Sequence, residues 1–142
     1  MKAFSTLLLI FAFSSTSLYA QEDTSPEIFT IVENNPEFIG GQDAMYEYLA
    51  KNLSYPAAAK DAGIQGIVYV TFVIIETGKV TGVKLLRGIG GGCDEEALRV
   101  VESMPYWNAG TQRGKKVKVQ FNLPIRFYLA PNKKKGLFNR NK

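Results

Sequence analysis

The stretch VKVQFNLPIRF, residues 117–127, carries the clearest structural signal in the sequence. Its odd-numbered positions are all apolar: Val117, Val119, Phe121, Leu123, Ile125 and Phe127. Its even-numbered positions are polar or proline: Lys118, Gln120, Asn122, Pro124 and Arg126. Because successive side chains of a strand point to opposite faces, this alternation predicts a β-strand with one buried and one solvated face.

Pro124 predicts which edge of this strand is open. In an antiparallel ladder the N–H and C=O of one residue point to the same side, and successive residues alternate between the two sides. Proline lacks an N–H, so it belongs where that group would face away from a neighbouring strand. The even-numbered residues therefore face an open edge, and the backbone groups of Lys118, Gln120 and Asn122 are available to another chain. Two explanations fit: an edge that proline protects against association, and an edge that takes up an extended peptide by β-augmentation.

The elements before this strand predict the fold class. Apolar residues at helical spacing indicate helices over residues 42–53 and 94–104, and a short helical piece follows Pro56, over residues 56–61. β-branched and aromatic residues at 66–75 and 80–87, joined by a turn that contains Gly78, indicate a β-hairpin. A further short strand is expected within residues 28–32. The order helix, strand, strand, helix, strand predicts an α+β domain with helices packed on one face of a three-stranded antiparallel sheet.

Two features of the composition argue against an enzyme. The sequence has no histidine and one cysteine, Cys93, so Ser-His-Asp and Cys-His catalysis lack their imidazole base. The common zinc sites need three or four histidine or cysteine ligands and are excluded for the same reason. We therefore expect no catalytic residue, no metal and no cofactor.

The glycine-rich stretch GIGGGCDEEAL, residues 88–98, resembles a phosphate-binding loop but is predicted to be a connector. The third glycine of G-x-G-x-x-G is replaced by Cys93, and the preceding strand closes an antiparallel hairpin rather than a βαβ unit. Asp94, Glu95 and Glu96 would fill the first helical turn and repel a phosphate. The same carboxylates oppose activation of the Cys93 thiol.

The chain divides into four predicted segments. Residues 1–20 have the lysine, the short apolar core and the small-residue end of a cleaved secretory signal peptide, which predicts export to the periplasm. If this leader is retained, it anchors the protein in the inner membrane. A polar segment (21–35), the folded domain (36–130) and a basic tail (131–142) follow. Much of the excess positive charge lies in the tail, so no nucleic-acid partner is predicted.

Several short motifs, in this order and spacing, resemble the TonB C-terminal domain family. They are Tyr55-Pro56-Ala57-Ala58-Ala59-Lys60, Gly63-Ile64-Gln65-Gly66, Thr77-Gly78-Lys79-Val80, Asp94-Glu95-Glu96-Ala97-Leu98, Met104-Pro105-Tyr106-Trp107 with Gly110, Gly114-Lys115-Lys116-Val117 and Leu123-Pro124-Ile125-Arg126-Phe127. The segment Phe38-Ile39-Gly40-Gly41 is similar to an extended variant of that domain. The resemblance covers roughly residues 28–128.

The resemblance implies a periplasmic module of transmembrane transport. Its last strand would capture, by strand addition, the N-terminal segment of a TonB-dependent outer-membrane transporter. The binding residues this implies are Tyr55, Pro56, Lys116, Lys118, Gln120 and Asn122.

Energy transducers of this family keep an N-terminal membrane helix and a long proline-rich spacer, whereas about fifteen residues separate the leader from the domain here. Two alternatives therefore stand beside peptide capture. One is an envelope structural or assembly protein that forms a homodimer through the same edge, and the other is a true transducer with an uncleaved leader.

Overall fold

A computed structural model describes residues 27–130 of the 142-residue chain. The helices of this part are α1 (Gly41–Asn52), α2 (Ala57–Asp61) and α3 (Cys93–Glu102). Its strands are β1 (Ile28–Phe29), β2 (Glu37–Phe38), β3 (Gly66–Ile74), β4 (Val80–Arg87), β5 (Trp107–Asn108), β6 (Thr111–Gln112), β7 (Lys115–Lys116) and β8 (Lys118–Phe127). The long elements agree with the predicted ones to within one or two residues at each end.

The main sheet has the strand order β1-β8-β3-β4. Its three long strands are antiparallel, with β3 between β8 and β4, as the sequence predicts. The sheet has four strands rather than the predicted three, because the short strand expected within residues 28–32 joins it as β1, paired in parallel with the start of β8. Ile28 lies opposite Lys118 and Phe29 opposite Val119, so the sheet is mixed rather than purely antiparallel.

The two ladders on either side of β3 differ in regularity. Nine consecutive pairs join β3 to β8 without a shift in register. The pairing of β3 with β4 shifts twice, once between Tyr69 and Val70 and once between Thr71 and Val73. The second shift is accommodated in β4 at Gly82. Gly82 has a φ of 59°, a value that glycine adopts without steric cost.

The helices cover one face of this sheet, as predicted. Every second residue of β3 is buried against them, and so are the inward residues of β8; they are Val68, Val70, Phe72 and Ile74, with Val119, Leu123, Ile125 and Phe127. The helices contribute Met45 and Leu49 from α1 and Cys93, Ala97, Val100 and Val101 from α3. Leu98 of α3 is only half-buried, because Ala97 and Val100 occupy the centre of the α3 contact.

The segment before α1 packs alongside the C-terminal third of the chain. After β1, the backbone of Asn34 pairs with Thr111, and Glu33 accepts a hydrogen bond from the Arg113 N–H. β2 then pairs with β5, which places Phe38 edge-on to Trp107 at a ring distance of 5.5 Å. Part of the predicted polar segment therefore contributes to the folded unit.

The predictions for residues 1–20 and 131–142, the leader and the basic tail, lie outside the described residues. Between residues 27 and 130, no helix combines the length and the apolar character needed to cross a bilayer.

Candidate functional site

The outer edge of β8 is the candidate site, and Pro124 fixes which backbone groups it presents. Pro124 lies opposite Tyr69 of β3 and has no N–H to donate to it. The odd-numbered residues of β8 therefore form the ladder with β3, and the even-numbered residues direct their N–H and C=O groups outward. This is the arrangement that the sequence predicts.

The short strand β1 occupies one end of this edge. The backbone N–H and C=O of Val119 bond to β3, so they are not available to β1. The pairing of Phe29 beside Val119 therefore uses the outward backbone groups of the flanking residues Lys118 and Gln120. No other strand of the described chain pairs with the outer side of β8. Residues 122–126, which we call the open section of β8, have no strand partner on their outer side within residues 27–130. The open section contains Asn122, the carbonyl of Pro124 and Arg126.

The structure distributes the predicted strand residues over three environments. Asn122 lies in the open section, exposed on the solvated face. Lys118 and Gln120 also lie on β8, but next to β1, and the Gln120 side chain donates a hydrogen bond to the Thr71 hydroxyl at 3.2 Å. Lys116 does not belong to β8. It lies in β7, where it pairs with Thr111, because the turn at residues 113–114 closes a separate two-stranded hairpin before β8 begins.

Tyr55 and Pro56 lie near the far end of β8. The Tyr55 ring packs edge-on against Phe127, the last residue of β8, with ring centres 5.6 Å apart. The Tyr55 hydroxyl donates to the Ile64 carbonyl, and burial raises the pKa of this phenol. Pro56 precedes the first residue of α2. Tyr55 therefore supports the end of the strand from the helical side.

Helix α1 flanks the open section, a feature that the sequence reasoning missed. Between them lies a groove of about 370 Å³, bordered by Tyr46 and Ala50 of α1, by Leu53 just after the helix, and by residues 124–126 of β8. Tyr46 is 55% exposed although it is a large aromatic residue. It adjoins the apolar stripe of α1 without belonging to it, and this is the one signal of the groove in the sequence.

A polar cluster of Glu96, Arg99 and the end of α1 fixes the helix relative to α3. The Arg99 guanidinium donates to the Glu96 carboxylate at 2.7 and 2.9 Å and to the carbonyl of Asn52 at 2.8 Å. Glu96 also accepts a hydrogen bond from the Ser54 N–H at 2.7 Å. The hydrogen bond from Arg99 is the largest cause that lowers the pKa of Glu96, and the same bond raises the pKa of Arg99.

The glycine-rich loop is a structural connector, as predicted. The Asp94 carboxylate accepts hydrogen bonds from the N–H groups of Ile89 and Gly90, at 2.8 and 3.2 Å, and so closes the loop on itself. A Cβ on Gly88 would lie 2.3 Å from that carboxylate, which leaves room for glycine alone. Cys93 is fully buried. Burial raises the pKa of its thiol, and the charges of Asp94 and Glu95 raise it further, so the thiolate is disfavoured.

The charge around β8 is one-sided. No acidic residue follows Glu102 in the sequence, whereas Arg113, Lys115, Lys116, Lys118 and Arg126 precede or line β8. Within the described residues the one ion pair joins Arg99 to Glu96, at the C-terminal end of α1. The edge therefore offers positive charge that no carboxylate in this part of the chain neutralises.

Residues 51–129 match the family model of the Gram-negative bacterial TonB protein C-terminal region. The match includes Tyr55, both helices after α1 and the long strands of the sheet. The chain belongs to the TonB C-terminal domain family. Domains of this family are non-enzymatic protein-interaction modules of the Gram-negative envelope, and membership associates the chain with TonB-dependent transport.

Two solved structures are similar to the chain, both solution NMR structures of the Helicobacter pylori TonB C-terminal domain. The longer one is 23% identical, with a TM-score of 0.46, and the alignment covers 61% of this chain and 78% of that one. The shorter one is also 23% identical, with a TM-score of 0.45 and coverage of 62% and 95%. No curated protein sequence matches the chain.

Proposed function

We propose that this protein captures an extended peptide segment by adding it as a strand to the outer edge of β8. The observation that carries the proposal is the open section, residues 122–126, whose outward backbone groups have no strand partner in the described chain. Backbone pairing would supply affinity, and side-chain contacts on either face would supply specificity. The proposal is compatible with Pro124, because proline is tolerated in an edge strand where its missing N–H would point outward.

Two further features support β8 as the receiving strand. Its nine pairs with β3 run without a register shift, so an added strand would meet a straight and well-supported ladder. The pairing with β1 supports the proposal, since a two-residue strand already lies along the same edge. An incoming peptide would continue the sheet beyond β1 or replace it.

The partner we propose is the N-terminal segment of a TonB-dependent outer-membrane transporter, met in the periplasm after cleavage of residues 1–20. Family membership supports the class of partner. Measuring the mass of the mature protein tests the cleavage. A mass that includes residues 1–20 would instead favour a membrane-anchored protein, for which energy transduction becomes the better proposal.

The test is a calorimetric titration of the protein with synthetic peptides from the N-terminal segments of the outer-membrane transporters encoded in the same genome. Asn122→Pro removes an outward N–H and leaves the ladder with β3 intact, so we expect binding to weaken at least tenfold. The matched control is Asn122→Ala, which keeps that N–H and should bind like the wild type. Absence of binding, or equal binding by the proline variant, would reject strand addition at this edge.

Self-association through the same edge is the second candidate, because an unpaired strand accepts a second copy as readily as a peptide. Light scattering on the mature protein separates the two functions. A stable dimer that Asn122→Pro converts to a monomer would favour assembly, whereas a monomer that binds the peptides would favour capture.

A further inference from the structure

The groove between α1 and β8 adjoins the open section itself. Its β8 side is formed by Pro124, Ile125 and Arg126, the last three residues of the open section. Pro124 is the one residue of the open section that has no backbone N–H to donate. Ile125 is 1% exposed and forms the apolar floor. The volume of about 370 Å³ is more than twice the roughly 150 Å³ of an engineered cavity that holds benzene.

The pleat of an added strand determines which of its side chains meets the groove. Residues of neighbouring strands that lie opposite each other point to the same face of the sheet. Ile125 points to the helix-covered face, so the peptide residue opposite Ile125 would point to that face as well, in either strand direction. There it would meet Ala50 of α1 and Leu53, the residue that follows the helix.

The next peptide position faces a different environment. Its side chain lies opposite Arg126, on the solvated face of the sheet. Among residues 27–130, Arg126 is the only charged residue that borders the groove, and no carboxylate of this range forms an ion pair with it. A carboxylate at this peptide position would complement the guanidinium.

We propose that the groove is a specificity pocket for one bulky apolar side chain, such as leucine or phenylalanine, of an extended peptide that carries an acidic residue at the adjacent position. The inference rests on the proposed capture of a strand by β8 and adds the sequence preference of that strand. It assigns Ala50 the role of leaving the pocket open, because a larger residue there would fill it. It assigns Arg126 the choice of the neighbouring acidic residue.

A phage-displayed library of random dodecapeptides, selected on the immobilised full-length protein, tests the pocket without knowledge of the natural partner. We expect the selected peptides to share leucine or phenylalanine at one position, with aspartate or glutamate beside it. In a synthetic copy of a selected peptide, replacing the apolar residue with alanine should weaken binding by about tenfold or more, as expected for burial of such a side chain.

Two variants then locate the preference. Ala50→Phe should remove the preference for a bulky residue and bind the alanine-substituted peptide as the wild type does. Arg126→Glu should exchange the preference for an acidic neighbour for a basic one. The matched control is Ala58→Phe, the same substitution at an exposed site of α2 away from the groove, and it should leave both preferences unchanged.

The outcomes separate the pocket from the capture mechanism. Selected peptides that bind through Asn122 but share no apolar position, or that Ala50→Phe leaves unaffected, overturn the pocket and leave strand capture intact. A selection that yields no binding peptide overturns both proposals. Binding that survives Asn122→Pro but is lost in Ala50→Phe would show a groove that works without strand addition, contrary to the inference.

Discussion

The strands β8 and β4 both lie at an outer side of the same three long strands, yet they differ in regularity. β8 pairs with β3 in one register, whereas the pairing of β4 shifts twice and passes Gly82 at a positive φ. Bulges of this kind increase the local twist and bend a strand, which makes its outer side a poor template for another chain. The sheet therefore has one irregular edge strand, β4, and one, β8, that is paired in a continuous register.

The two edges also differ in what lies beside them. α1 flanks β8 and forms a groove along it, while α3 packs over β3 and β4 and leaves Leu85 and Leu86 of β4 exposed. The exposed apolar residues of β4 thus lie on a distorted strand, whereas the regular strand β8 has a groove beside it. Four measurements test this difference between the two strands.

The largest expected effect concerns stability. Ile125→Ala on β8 removes a buried side chain and should lower the free energy of unfolding by about 2–5 kcal/mol. Leu85→Ala on β4 removes a side chain that is 41% exposed and should cost less than about 1 kcal/mol. Urea denaturation of both variants gives the values. Equal losses would show that the two strands are packed alike and would remove the contrast.

The second effect concerns peptide capture. Leu85→Pro places a proline at an outward-facing position of β4, as Asn122→Pro does on β8. We expect the β4 variant to bind transporter peptides with unchanged affinity, because the capture edge lies on the other side of β3. The β8 variant should lose about 1.4 kcal/mol or more of binding free energy, a tenfold weakening. Calorimetry on both variants decides whether one edge or both take up peptide.

The third effect concerns β1. Phe29→Pro removes the N–H that pairs β1 with β8, so Lys118 and Gln120 become available to a ligand. Peptides long enough to cover residues 118–126 should then bind roughly threefold tighter, since they no longer displace a strand. Thr30→Pro, just beyond β1, serves as the control. Weaker binding by Phe29→Pro would mean that β1 forms part of the binding surface rather than competing for it.

The smallest effect concerns the contact that positions α1. Because the folded-state pKa of Glu96 lies below the ordinary value of 4.5, its ionised form stabilises the fold above about pH 4.5. That stabilisation is lost as the pH falls through the lowered pKa. Glu96→Gln should therefore cost roughly 0.5 kcal/mol at pH 7, and the difference should shrink as the pH falls below about 4.5. A difference that is independent of pH would point to packing instead of charge.

The sequence allowed much of this architecture to be predicted, because the decisive signals are local. The alternation through residues 117–127 gave the strand and its buried face, and Pro124 gave the side that faces outward. The parallel pairing of β1 could not be found this way, since Ile28 and Lys118 are far apart in the chain and two residues show no periodicity. The sequence did not predict that Lys116 belongs to a separate hairpin, because the polar and apolar alternation does not show where β8 begins.

The candidate site was predicted in part for the same reason. Backbone direction at Asn122 follows from one proline in one strand, which a sequence displays directly. The groove depends on how closely α1 approaches β8, and Tyr46 and Arg126 border the same groove only through that tertiary contact. Helical periodicity assigns Leu49 to the core but says nothing about the neighbour of Ala50.

The pairing of β1 with β8 has a consequence for the time course of folding. A chain made from its N-terminus exposes Ile28 and Phe29 early, but their partners Lys118 and Val119 arrive with the last long strand. β3 likewise waits for β8 while its hairpin with β4 is already complete. Contacts this distant in sequence slow folding. During that interval β3 presents the bare side that β8 later covers, which makes the nearly complete chain, rather than the native protein, the species most exposed to aggregation.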